Sequence, residues 1–135
     1  MWRYERKIMM QDWTEFTGSP REVRRRNPRV TLSKYKDIYL NLKAYEALGR
    51  PERIQFFYDT ARSRIGLRKS LHEDNNAFPV KKEPGSGSGA TVHAAYFCNN
   101  YGIRPDRAIE FTNVTIDASG IMVLDLKTAR SVNLG

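Results

Sequence analysis

Between Ile38 and Leu42 the chain alternates, with Ile38, Leu40 and Leu42 on one side and Tyr39 and Asn41 on the other. A period of two predicts a half-buried strand. Upstream, Arg29 to Ser33 is a short β-rich run, and Lys34 to Asp37 forms the turn between the two. Lys43 to Leu48 lacks β-branched residues and ends at Gly49, with Pro51 two residues beyond. That pattern predicts one or two turns of helix closed by a glycine cap. Ile54 to Tyr58 and Arg64 to Lys69 then read as strands around Asp59 to Ser63.

The same order recurs. Residues 30–69 and residues 78–127 share Arg50-Pro51-Glu52-Arg53 against Arg104-Pro105-Asp106-Arg107, and Ile54-Gln55-Phe56 against Ile109-Glu110-Phe111. Ala44-Tyr45 matches Ala95-Tyr96, Gly49 matches Gly102, and each copy closes on an apolar run ending in lysine, IGLRK and IMVLDLK. The second copy has a longer first turn and a hairpin closed at Asp117 to Gly120. A ββαββ unit of this size cannot bury its apolar faces alone. Two copies offer each other a partner, and the expected product is one closed, pseudo-twofold β-barrel with interleaved hairpins. Residues 1–28 are left as a basic, aromatic-containing arm, and residues 29–135 as a single barrel domain. Ser70 to Ala77, with His72, Glu73 and Asp74, is polar enough for a surface connector.

Composition narrows the class. At 135 residues, 40% hydrophobic and 28% charged, the chain is neither disordered nor collagen-like. Its longest strongly apolar stretch, Gly120 to Leu124, falls far short of the roughly 20 residues a membrane helix needs. The start, MWRYERKIMM, has no apolar core of the signal-peptide kind, so a reducing cytoplasm is the expected compartment. Cys98, the single cysteine, excludes an internal disulfide, and two histidines and one cysteine make a poor metal set. No cofactor is expected.

Charge adds direction. The formal net charge is +8, with a pI near 9.8, and it is uneven. Residues 1–29 hold 8 basic and 4 acidic side chains, residues 30–69 hold 9 and 4, and residues 78–127 balance at 5 and 5. An anionic partner, nucleic acid above all, is expected to meet the N-terminal half. Arg21, Arg24, Arg25, Arg26 and Arg29 form a cluster with two equal readings, an arm that releases counterions from a phosphate backbone and a solvated charged linker. Trp2, Tyr4, Trp13 and Phe16 precede it; stacking on bases is one use for them, and packing onto the domain is the preferred reading.

The stretch RVTLSKYKDIYLNLKAYEALGRPERIQFFYD resembles the AbrB-type swapped-hairpin family, which includes transition-state regulators, many antitoxins and MraZ-like proteins. The resemblance lies in a turn, a strand and a short helix closing at Leu-Gly, and by element order it extends over residues 29 to 127. It implies a mainly β fold with short helices, in which two tandem repeats form a swapped-hairpin or double-psi-like barrel. It also implies DNA binding. Departures are present: Asn41 stands where relatives usually have a proline, and Pro51-Glu52 where they often have Gly-Asp.

For DNA, the phosphate contacts are expected from Lys34, Lys36, Lys43, Arg50 and Arg53, extended by Arg24, Arg25 and Arg26. Such side chains position a duplex and do not by themselves read its sequence. Asn41 could bond a base edge, but capping the following helix is the preferred role. Arg62 and Arg64 are expected to be solvated. His93 and Cys98 are the only candidate base and nucleophile, with no evident aspartate to orient the histidine, and a buried structural cysteine is preferred. Gly85-Ser86-Gly87-Ser88-Gly89 lacks the lysine and helix start of a phosphate loop and reads as a mobile hairpin tip. The expectation is a DNA-binding protein, a small prokaryotic regulator or antitoxin-like, without enzymatic activity, acting as monomer or homodimer. The alternative is a protein-interaction module of a larger assembly that docks a partner through the N-terminal arm.

Overall fold

The computed structural model describes residues 13–15, 27–71, 75–85 and 87–132. Among them are eleven strands and two short helices, so the chain is mainly β. The first half runs β1 (Val30–Leu32), β2 (Asp37–Leu40), α1 (Leu42–Ala47), β3 (Arg53–Asp59) and β4 (Arg64–Lys69). The second half opens on two short strands, β5 (Phe78–Pro79) and β6 (Lys81–Lys82), then β7 (Ala90–His93) and α2 (Ala95–Asn100). It finishes with β8 (Ile109–Phe111), β9 (Thr115–Ile116), β10 (Met122–Asp125) and β11 (Arg130–Ser131).

The alternation that predicts β2 ends two residues early, at Leu40, for a local reason. Asn41 is extended at φ −69° and ψ 173°, and its Oδ1 accepts from the Ala44 N–H at 2.9 Å. A capped helix therefore begins at Leu42. At the other end Gly49 sits at φ +86°, and the Gly49 and Arg50 N–H groups return to the Glu46 and Tyr45 carbonyls. This is a left-handed helix stop that glycine adopts without strain.

Every ladder is antiparallel, and the ladders form two sheets. One has the order β11-β8-β1-β2-β7-β6, the other β5-β3-β4-β10-β9. The halves interleave: β1 pairs with β8, β2 with β7, β3 with β5 and β4 with β10. The closed barrel expected from sequence does not form. The ladders of one sheet do not run on into the other. Between β5 and β6 the Val80 N–H donates to the Glu52 carbonyl, one step further along the β3–β5 ladder. Between β8 and β9, Asn113 takes φ +53°, a turn conformation.

The core lies between the sheets. Val30, Leu32, Ile38, Leu40 and Val92 come from one sheet, and Ile54, Ile65, Leu67, Met122 and Leu124 from the other; all are fully buried in one cluster. Each contributes roughly 1.5–3 kcal/mol through burial. Of the arm expected over residues 1–28, only residues 13–15 and 27–28 are described, and Trp13 is exposed.

Candidate nucleic-acid interface

The turn between β1 and β2 is built by Ser33. Its Oγ accepts from the Tyr35 and Asp37 N–H groups, both at 3.2 Å, and its carbonyl accepts from the Lys36 N–H at 2.9 Å. Lys36 takes φ +69° to close the turn. The result presents Lys34, Tyr35 and Lys36 together. Tyr35 is 73% exposed, and Lys34 Nζ lies 5.2 Å from its ring centre. Lys36 Nζ donates to Asn99 Oδ1 on α2 at 2.6 Å, while the Ala94 N–H donates to the Lys36 carbonyl. The turn is thus fastened to the start and the outer face of α2.

The other expected phosphate contacts do not join this turn in one hydrogen-bonded cluster. Arg50 Nη2 pairs with Glu46 Oε2 at 2.6 Å, and Lys43 Nζ lies 3.9 Å from the same carboxylate, so Lys43 and Arg50 share one anion on α1. Arg53 opens β3, is half-buried, and stands opposite Pro79. Arg24, Arg25 and Arg26 lie outside the described residues.

Four arginines take ion-pairing roles that their charge runs do not reveal. Arg29 Nε donates to Glu110 Oε2 at 2.6 Å, and Arg130 Nη2 approaches Glu110 Oε1 at 3.5 Å. The hydrogen bond from Arg29, opposed by burial, holds the Glu110 carboxyl below its ordinary range. Arg64 Nη2 and Arg62 Nη1 both pair with Asp59 Oδ2, at 2.9 and 3.3 Å, while the Arg62 side chain stays largely exposed. Arg64 and the backbone of Arg62 keep the Asp59 carboxyl low in turn.

Asn41 is the helix cap that the sequence suggests, and more. Its Oδ1 also accepts from the Arg29 N–H at 2.9 Å, and its Nδ2 donates to the Asn27 carbonyl at 2.9 Å. Cys98 is fully buried in the core, and burial pushes its thiol up to about 11. It carries no nucleophile at neutral pH. His93 is exposed and bonds Asp37 Oδ1 through Nδ1 at 2.7 Å. The orienting aspartate that the sequence does not reveal therefore exists, 56 positions away on the paired strand. Gly89, in the Gly-Ser loop, packs so closely that a Cβ there would lie 1.7 Å from the Leu40 carbonyl oxygen.

Of the concavities lined by described residues, two bear on the site. A shallow groove of about 590 Å3 runs beside the end of α1, lined among others by Leu48, Arg68, Lys69, Leu71 and Ile116. A smaller pocket of about 200 Å3 lies against α2, between Phe56, Asn76, Phe78, Tyr96, Phe97, Asn100 and Tyr101. Its rings are ordered: Phe56 stacks on Phe97 with centroids 4.5 Å apart, Phe78 meets Phe56 edge-on at 4.7 Å, and Tyr101 sits 5.2 Å from Phe97. Sequence reasoning passed over Asn99, Asn100 and Tyr101, because only the fold carries Phe56 and Phe78 to them.

Among the described residues no group of three or more His, Cys, Asp or Glu could hold a metal ion, and no helix is long and apolar enough to cross a membrane. Comparison with protein-family models, curated proteins and solved structures finds no match to this chain.

Proposed function

We propose that the chain is a DNA-binding protein, a small prokaryotic transcription regulator or antitoxin-like protein, whose basic N-terminal half meets the phosphates. The observation that supports this reading is the β1–β2 turn. There Lys34 and Lys36 flank an exposed Tyr35, and neither ammonium has a carboxylate partner among the described residues. Arg24, Arg25 and Arg26 extend the same half of the chain, and Lys43, Arg50 and Arg53 lie further along it. We read the halves as copies of one ancestral unit of the AbrB-type swapped-hairpin kind. In support, both helices are six residues long and each is followed two residues on by a glycine at positive φ, Gly49 and Gly102. The reciprocal pairings β1·β8 with β3·β5 point the same way.

A mobility-shift titration of random duplex DNA across salt tests the reading. Binding should weaken steeply with salt, and the double variant Lys34→Gln/Lys36→Gln should lower the slope by about 2. Absence of any shift at low salt would remove the proposal.

A second reading, a protein-interaction module, rests on the apolar lining of the larger groove, where Leu71 is 78% and Ile116 40% exposed. A stably co-purifying partner, together with no affinity for duplex DNA, would favour it.

A further inference from the structure

The pocket against α2 combines two chemistries that rarely meet on a surface meant only for water. Its floor is aromatic, Phe56 and Phe97 in a stack with Phe78 edge-on, and its rim is formed by Tyr96, Asn100 and Tyr101. Tyr96 is 81% exposed and Tyr101 46%. On α2, Tyr96, Asn99 and Asn100 fall at i, i+3 and i+4, so they share one helix face. Asn99 on that face receives Lys36 Nζ at 2.6 Å, which places an ammonium beside the aromatic rim. The Asn100 carboxamide is exposed, and no described residue claims it.

We propose that this pocket takes an unpaired base of a single-stranded nucleic acid, with Lys36 and Lys34 on the adjoining phosphates. The inference rests on the nucleic-acid reading above and extends it from the backbone to a base. Size agrees: a dry cavity of about 150 Å3 holds benzene, and this open pocket of about 200 Å3 has room for a somewhat larger planar heterocycle. Chemistry agrees as well. Unstacked bases are held by aromatic side chains and by hydrogen bonds to their exposed edges. A carboxamide can both donate to and accept from a base edge, adenine's among them, and adenine serves as the probe. The pocket needs no cation inside it, because the phosphate charge stays outside, at the turn.

The test is fluorescence anisotropy at low salt with a labelled ten-nucleotide oligo-dA and an abasic strand of the same length. Oligo-dA should bind roughly 5- to 100-fold tighter than the abasic strand. Tyr96→Ala should erase that excess and leave abasic binding unchanged, and Tyr96→Phe should restore it. Tyr96 is exposed, so its truncation leaves the fold standing; an unchanged urea midpoint confirms this. Abasic binding without any excess for bases, or an excess that survives Tyr96→Ala, overturns the pocket alone. Failure of both strands to bind also overturns the single-strand proposal, while the duplex titration above decides the phosphate reading separately.

Discussion

Replacing Asn41 by alanine separates a structural residue from a base-reading one. Among the described residues, its Oδ1 accepts from the Ala44 and Arg29 N–H groups, and its Nδ2 donates to the Asn27 carbonyl. Loss of a helix N-cap alone costs about 1 kcal/mol. The part-buried Arg29 N–H would lose its partner too, adding about 1 kcal/mol, while the exposed bond to Asn27 adds little. The expected destabilisation is therefore about 2–3 kcal/mol. Urea unfolding reads it directly: with m in the usual range of about 1–3 kcal/mol/M, the midpoint should fall by roughly 1 M or more at constant m. Asn41→Asp keeps an oxygen to accept from both N–H groups, loses only the exposed bond to Asn27, and should recover most of the loss. A fall below about 0.5 kcal/mol, accompanied by weaker DNA binding, would refute the argument and return Asn41 to the list of base contacts.

Other expectations follow from the same contacts. Glu110 has a depressed pKa in the folded state, so its ion pair with Arg29 stabilises above the ordinary value of 4.5 and is lost as the pH falls through the lower, folded one. Urea midpoints of the wild type and Glu110→Gln should differ by the equivalent of about 1 kcal/mol or more at pH 7 and converge in acid; parallel curves would contradict the assignment. Cys98 should react with a disulfide reagent at pH 8 only as fast as the protein opens, because its thiol is buried and raised to about 11. Gly89→Ala should destabilise by about 3 kcal/mol or more, since its Cβ meets backbone at Leu40 and Asn41 that cannot swing aside. A well-folded Gly89→Ala protein with unchanged Tm would show that the loop relaxes freely.

Local order was legible where local chemistry decides it. β4 spans Arg64 to Lys69 as the apolar pattern predicts, and Gly49 stops α1 with the positive φ that its position demands. Contacts set by register were not legible. Asp37 meets His93 only because β2 and β7 pair with those residues opposite, 56 positions apart. Glu110 finds Arg29 at a separation of 81 for a like reason. The match of Ala44-Tyr45 to Ala95-Tyr96 illustrates the limit of reading a repeat from letters. α1 begins at Leu42 and α2 at Ala95, so position for position Ala44 corresponds to Phe97, and both are buried. Burial at that third helical position is shared where residue identity is not. The closed barrel was not legible either way, because closure depends on how the ends of two sheets meet, and the chain forms two separate sheets.

The interleaving of strands also sets a timetable for biosynthesis. Val30 has no partner across its outer edge until Phe111 has been made. At roughly 5–20 residues per second that interval lasts on the order of 4–16 s. During it, a nascent chain leaves the ribosome with β1 lacking its outer neighbour and half a core open to water. Such a chain depends on quick completion of translation, or on a chaperone's shelter, more than one whose strands pair only with their immediate neighbours.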